Sequence, residues 1–173
     1  MNHANDTLTT HLVDPIAQAA ARGQALRIRG GGSKDFYGSR LHGEVLDTRG
    51  YSGIVSYEPT ELVVTVRGGT PLAELEAALA DKGQCLAFEP PHFGAATVGG
   101  MVATGLSGPA RASVGAVRDF MLGAVLVNGR AEVLTFGGQV MKNVAGYDVS
   151  RLMAGAMGTL GVLAEVSLKV LPV

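Results

Sequence analysis

The spacing of apolar residues changes several times along the chain, and each change marks an element. Asp14-Pro15 opens a short helical pattern, with Asp14 as N-cap and Pro15 at the first helical position, and Gly23 is placed to end it. "ALRIR" then reads as a compact strand that runs directly into three glycines. "GEVLDT" (43–48), "GIVSYEP" (53–59) and "ELVVTVRGG" (61–69) alternate or carry β-branched residues between turn formers, which predicts three further strands. After Thr70-Pro71, Leu72, Leu75 and Leu79 return at helical spacing until Gly83 closes the segment. The first half is thus a small α/β unit.

The second half differs in character. It opens near "LAFEPPHFG", crosses the glycine-rich "ATVGGMVATGLSG" (96–108), and continues into a long strand pattern, "MLGAVLVNGRAEVLTF" (121–136), where Asn128-Gly129 signals a hairpin. "DVSRLMAGA" predicts a short helix capped by Asp148, and "GTLGVLAEVSLKVLPV" a terminal strand. The expectation is two subdomains, residues 1–85 and 86–173, with no linker between them.

Composition narrows the classes. A chain of 173 residues, 47% hydrophobic and 17% charged, can bury one respectable core, and its net charge of -1 gives no basic surface for nucleic acid. A single cysteine, Cys85, excludes a disulfide framework and a cysteine-based metal cluster. No run approaches the length of a membrane span, and the polar start "MNHANDTLTTHLVDP" lacks the features of a signal peptide, so a cytoplasmic setting is expected. The 25 glycines follow no repeat period, which places them at particular turns and close approaches.

Three glycine clusters stand out. "RGGGSK" (29–34) fits neither a Walker loop, for lack of Gly-Lys, nor a dinucleotide fingerprint, because Asp35 stands at the sixth position counted from Gly30. Taken alone, a strand followed by three glycines is more often a tight turn than an anion cradle. In "ATVGGMVATGLSG", Thr97 caps a helix whose Gly99, Gly100, Ala103 and Gly105 carry almost no bulk; close packing on a sheet and close approach of a ligand are equally good readings. "GTLG" (158–161) alone would be a helix-to-strand turn. Three such places in so short a chain argue for one extended ligand held between two subdomains.

Acids, bases and nucleophiles are scarce by comparison. His3 and His11 lie in the polar leader, His42 in a turn, and His92 in "EPPHFG", where a lone histidine is more often structural. No histidine–carboxylate set has metal-ligand spacing, and Gly-x-Ser-x-Gly does not occur. Lys142 could meet an anion and Tyr147 a ring, although a solvated lysine and a half-buried tyrosine are the commoner cases. A chain with cradles and few reactive side chains points to a bound cofactor as the reactive group.

The segments "RGGGSK", "PTELVVTVRGGTPLAELEAAL", "ATVGGMVATGLSGP", "VRDFMLGAVLVNG" and "KNVAGYDVSRLMAGAMGTLGVLAEVSLKVLP", in that order, resemble the FAD-binding domain of the vanillyl-alcohol oxidase and p-cresol methylhydroxylase (PCMH) type. The resemblance covers about residues 26–173. It implies an α+β fold with FAD extended in a cleft between two α/β subdomains. Arg29, Gly30, Gly31, Gly32, Ser33 and Lys34 would hold the pyrophosphate. Pro91, Thr97, Val98, Gly99, Gly100 and Ala103 would line the ribityl and isoalloxazine end, and Gly158, Thr159, Leu160, Gly161 and Val162 would lie along the FAD. Covalent members of the family often carry histidine where Ser33 stands, so non-covalent FAD is implied. A carboxylate introduced by Gly31→Asp is expected to abolish binding.

Within the family the motif order is most similar to flavin subunits of bacterial glycolate oxidase (glycolate dehydrogenase) complexes. That implies hydride transfer from a small 2-hydroxy acid to flavin. The implied partners are a paralogous flavoprotein subunit and an iron–sulfur subunit, with peripheral attachment to the inner membrane through them. A non-catalytic electron-relay or assembly subunit, and another flavin reductase of the same fold, remain alternatives; no catalytic residue is assigned. Two departures stand out. Ser113-Val114-Gly115 replaces the Arg-Tyr-Gly common in relatives, and the substrate-covering domain that follows a segment like "LKVLPV" is expected to be missing here, as in a cofactor-binding portion or a partner-dependent subunit.

Overall fold

Five strands whose alternation is legible in the sequence assemble into one antiparallel sheet. The computed structural model describes residues 3–138 and 146–173. In chain order the helices are α1 (His3–Leu8), α2 (Asp14–Ala21), α3 (Leu72–Ala80), α4 (Val98–Thr104), α5 (Arg111–Val114), α6 (Val117–Phe120) and α7 (Val149–Leu152). The strands are β1 (Leu26–Arg29), β2 (Glu44–Asp47), β3 (Ile54–Glu58), β4 (Val63–Arg67), β5 (Gln84–Cys85), β6 (Met121–Val127), β7 (Val133–Gly137), β8 (Val162–Lys169) and β9 (Leu171–Pro172). The large sheet has the order β3-β4-β8-β6-β7; β1 pairs with β2 in parallel, and β5 with β9 antiparallel.

Strands β6 and β8 lie inside the sheet and are buried almost throughout because both of their faces are covered. On one face α3 contributes Leu72, Leu75 and Leu79, and α4 contributes Val98, Met101 and Val102, to a core shared with Val64, Val66, Val166 and Leu168. Each fully buried leucine of α3 is worth about 1.5–3 kcal/mol. On the other face the N-terminal helical segment packs Leu12 and Ile16 against Leu46, Tyr51, Val127 and Val162. The five-stranded sheet takes β3 and β4 from before residue 85 and β6, β7 and β8 from after it, while Gln84–Cys85 itself forms β5, which pairs with β9 outside that sheet.

Two expected ends differ in detail. Asp14 is not an N-cap: Val13 is already helical, and a π-turn over Thr9–Val13 joins α1 to α2, so Pro15 stands where a preceding turn continues the helix. Gly23 does end the segment, at φ 62°. The β6–β7 hairpin forms, but not through a two-residue Asn-Gly turn. The Ala131 N–H donates to the Asn128 carbonyl and the Asn128 N–H to the Glu132 carbonyl, with Ala131 at φ 60°. This is a three-residue loop with the left-handed position on Ala131 rather than Gly129. Asp148 caps α7 as expected, its Oδ1 accepting from the Arg151 N–H at 3.1 Å.

Candidate functional site

Strand β1 ends at Arg29 and releases the chain into the glycine loop just as β2 ends beside it, where the Thr48 N–H donates to the Arg29 carbonyl. The loop faces α4 and the turn before β8 across a cleft with about 910 Å³ of empty space, its open mouth included. Of the residues expected from sequence, Arg29, Gly30, Gly31, Gly32, Ser33, Lys34, Thr97, Gly99, Gly100, Ala103, Gly158, Gly161 and Val162 line it. Pro91, Val98, Thr159 and Leu160 do not. Val98 is fully buried in the core, and its N–H donates to the Thr70 carbonyl. Thr159 turns its hydroxyl onto the Ala156 carbonyl at 2.6 Å, and Leu160 faces solvent. Helix α5 and Gly115, where the sequence departs from its resemblance, also lie off the cleft.

The three loop glycines owe their identity first to the fold. A Cβ on Gly30 would strike the Thr97 side chain, one on Gly31 would strike the Ala95 carbonyl, and Gly32, at φ 72°, lies beneath the Arg29 guanidinium. Gly31→Asp therefore disrupts the loop before any charge effect is felt, and it cannot isolate a phosphate contact. What the packing leaves behind is a row of donors. Among the described residues, no acceptor takes the backbone N–H of Gly30, Gly31, Gly32, Ser33 or Lys34. Half-buried and unpaired, these groups suit an anion.

Gly100 is the opposite case. A Cβ there would meet only the Thr97 hydroxyl, at 3.2 Å, a tight contact that asks this side chain to give by a few tenths of an ångström, while no backbone atom stands in the way. Glycine inside a helix costs about 0.5–1 kcal/mol relative to alanine, and here nothing in the packing repays that cost. The absent side chain keeps the cleft wall of α4 open. Thr97 caps this helix, its Oγ1 accepting from the Gly100 N–H at 3.3 Å.

Charge at the cleft is cationic. Arg29 Nε and Arg27 Nη2 both donate to Asp35 Oδ2, at 2.9 and 2.7 Å. Burial pushes the Asp35 carboxyl up, but the hydrogen bonds and charges of Arg29 and Arg27 together hold it below its ordinary value. Partial burial lowers the Lys34 ammonium from its ordinary value; its Nζ donates to the His92 carbonyl at 3.3 Å and lies 5.8 Å from the centre of the Phe93 ring.

The sequence reading missed the apolar wall made by Ile28, Tyr37, Leu41, Met153 and Met157. Its one local signal was the run of apolar residues just beyond the glycine loop, Phe36, Tyr37 and Leu41, in a segment without strand or helix period. His11 and His42 are absent from the lining, Tyr147 is almost fully exposed, the His3 side chain is not described, and Lys142 lies outside the described residues. Among the described residues no group of three or more His, Cys, Asp or Glu could hold a metal, and no helix is long and apolar enough to cross a membrane.

The model of the FAD binding domain family matches residues 8–151. The chain is 56% identical over 162 residues to the glycolate oxidase subunit GlcE of Escherichia coli, covering 93% of this chain and 46% of that protein. It is 30% identical over 130 residues to the glycolate oxidase subunit GlcD of Bacillus subtilis, covering 75% of this chain and 28% of the relative. The chain thus spans less than half the length of either protein. Among solved structures, an alkyldihydroxyacetonephosphate synthase superposes with a TM-score of 0.75 at 23% identity, over 94% of this chain and 30% of that one, which establishes a shared fold.

Proposed function

The chain belongs to the FAD binding domain family, of the PCMH type, and from that premise we propose that it is the FAD-binding part of a glycolate oxidase subunit, within a complex that oxidises glycolate to glyoxylate. The observation that carries the cofactor assignment is the row of unpaired N–H groups from Gly30 to Lys34, flanked by the Arg29 and Lys34 cations and facing the open wall at Gly100. A diphosphate needs donors and positive charge at one end, and the attached rings need slender backbone and apolar surface at the other. In this reading Arg29 to Lys34 hold the pyrophosphate. Thr97, Gly99, Gly100 and Ala103 flank the ribityl chain, and Gly158, Gly161 and Val162 lie along the cofactor; Pro91, Val98, Thr159 and Leu160 would act by supporting these segments. The two lobes are β1–β2 with its glycine loop on one side and the five-stranded sheet with α4 on the other.

The FAD is held without a covalent bond: Ser33 stands in the loop, and among the described residues no histidine or cysteine lines the cleft. When bound, flavin supplies a two-electron acceptor for a 2-hydroxy acid, which none of these side chains can provide. The partners in this reading are the paralogous flavoprotein subunit and an iron–sulfur subunit that carries electrons to a membrane, on which the complex is peripheral. One observation favours an electron-relay role for this subunit instead: among the described residues the only carboxylate lining the cleft, Asp35, is engaged by two arginines and is poorly placed to act as a base.

The test is a visible spectrum of the purified protein, then release of the chromophore by heat. FAD in the supernatant and bleaching of the bound flavin by glycolate without oxygen are the expected results. Bound FAD that glycolate does not bleach even when the chain is assembled into its complex would assign the relay role, and failure to take up FAD would overturn the reading.

A further inference from the structure

The loop from Glu89 to Ala95 carries two non-glycine residues in the left-handed region, Glu89 at φ 50° and Phe93 at φ 52°, each a strain of order 1–3 kcal/mol. Something must hold it. Its far end is secured where Pro71 and Thr97 bridge and the Leu72 N–H donates to the Ala96 carbonyl. The strained middle is fastened to helix α3 by one side-chain bond, His92 Nε2 to Glu76 Oε2 at 2.8 Å. The same residue reaches the other way through its backbone, since the His92 carbonyl accepts from Lys34 Nζ. Phe93 extends that contact by packing edge-on against Phe36, with ring centres 5.4 Å apart. Two residues on, the Ala95 carbonyl closes over Gly31.

We infer that the His92–Glu76 pair is a latch that positions Lys34 and the glycine loop, so that His92 and Glu76 are positioning residues for the cradle although neither lines the cleft. The geometry makes Lys34 the relay: its ammonium is half-buried, and beyond its local contact with the Ser33 hydroxyl at 3.4 Å it is directed by the His92 carbonyl and the Phe93 ring, both carried by the latched loop. The consequence for cofactor affinity rests on the FAD-binding reading above. The restraint on Lys34 does not.

The experiment therefore has two readouts on one set of variants of the full chain, His92→Ala, Glu76→Ala, the double variant and His92→Gln, each checked for folding by circular dichroism. The first is the rate at which an amine-reactive ester labels Lys34, followed by peptide mass spectrometry with Lys82 as internal reference. The second is FAD affinity by fluorescence titration. Either single variant should label Lys34 about three- to tenfold faster and leave Lys82 unchanged. The double variant should equal the singles, and glutamine, which keeps a donor near the Nε2 position, should restore the slow rate. FAD affinity should fall about fivefold in the same variants and recover with glutamine. An unchanged Lys34 rate in folded variants, or additive effects in the double variant, overturns the latch. If the parent protein takes up no FAD, the cofactor reading fails while the labelling rates still decide the latch.

Discussion

Two glycine-rich walls face each other across the cleft, and they are glycine-rich for different reasons. In the loop, Gly30 and Gly31 are filled from the protein side, by the Thr97 side chain and the Ala95 carbonyl. On α4, a Cβ on Gly100 would press on one side-chain atom, the Thr97 hydroxyl at 3.2 Å, and on no backbone. The first wall uses glycine to bring two backbones together and so to present a row of unpaired N–H groups; on the second, Gly99 likewise brings its backbone against that of Gly68, and Gly100 leaves room. A glycine motif is informative about a ligand only once the protein's own claim on the missing Cβ has been subtracted.

The sharpest way to break this comparison is to put one methyl group on each wall. Gly31→Ala drives a Cβ into a backbone carbonyl that cannot move without opening the loop, so we expect a stability loss of about 2–4 kcal/mol, seen as a lower denaturant midpoint, together with loss of FAD uptake. Gly100→Ala should do the reverse in stability, leaving it unchanged or raised by up to about 1 kcal/mol, because alanine favours the helix. Its FAD affinity should nonetheless fall by at least about tenfold, or about 1.4 kcal/mol. Equal stability losses in both variants would mean that Gly100 is also a packing glycine.

A smaller effect sharpens the electrostatic side. Lys34→Met keeps much of the stem's apolar contact and removes the charge, so the protein should stay folded while FAD affinity drops about five- to tenfold and depends less on salt. Titrations at low and moderate salt check this. Wild-type affinity at both would leave the N–H row and Arg29 as the anchors for the anion.

The fold was legible where local pattern and tertiary packing agree. Leu72, Leu75 and Leu79 announced both a helix and its buried face, and all three are fully buried. Thr97 and Asp148 announced caps, and each accepts the N–H three residues on. The glycine loop was legible as a place where backbones meet, but which atoms claim the missing Cβ of Gly30 and Gly31 depends on Thr97 and Ala95, more than sixty residues away in sequence. The His92 latch was invisible for the same reason: Glu76 lies sixteen residues earlier, on a helix face whose orientation is set by its leucines. The apolar wall escaped because Tyr37 and Leu41 sit in a segment with no periodicity to read.

The smallest effect expected at the cleft comes from the opposite face of the sheet, and it tests whether the two faces are separable. Tyr51 is buried there, its hydroxyl donating to Glu165 Oε1 at 2.6 Å while Arg67 stacks on its ring. Burial first, then the Glu165 hydrogen bond and charge, push the phenol up to about 12. A phenol raised above its unfolded value near 10 binds its proton more tightly when folded. Its contribution to stability is therefore complete below about pH 10 and is lost as pH rises from there to about 12. Other groups titrate in that window, so the informative quantity is the difference between wild type and Tyr51→Phe. The variant should be less stable by about 1–2 kcal/mol at pH 8, where Glu165 loses its donor, and the two denaturation curves should converge as pH approaches 12. FAD affinity at pH 8 should be the same in both, within about twofold. A Tyr51→Phe variant that binds FAD markedly worse would mean that strain passes through β8 to the turn at Gly161, and that the sheet couples the two faces rather than insulating them.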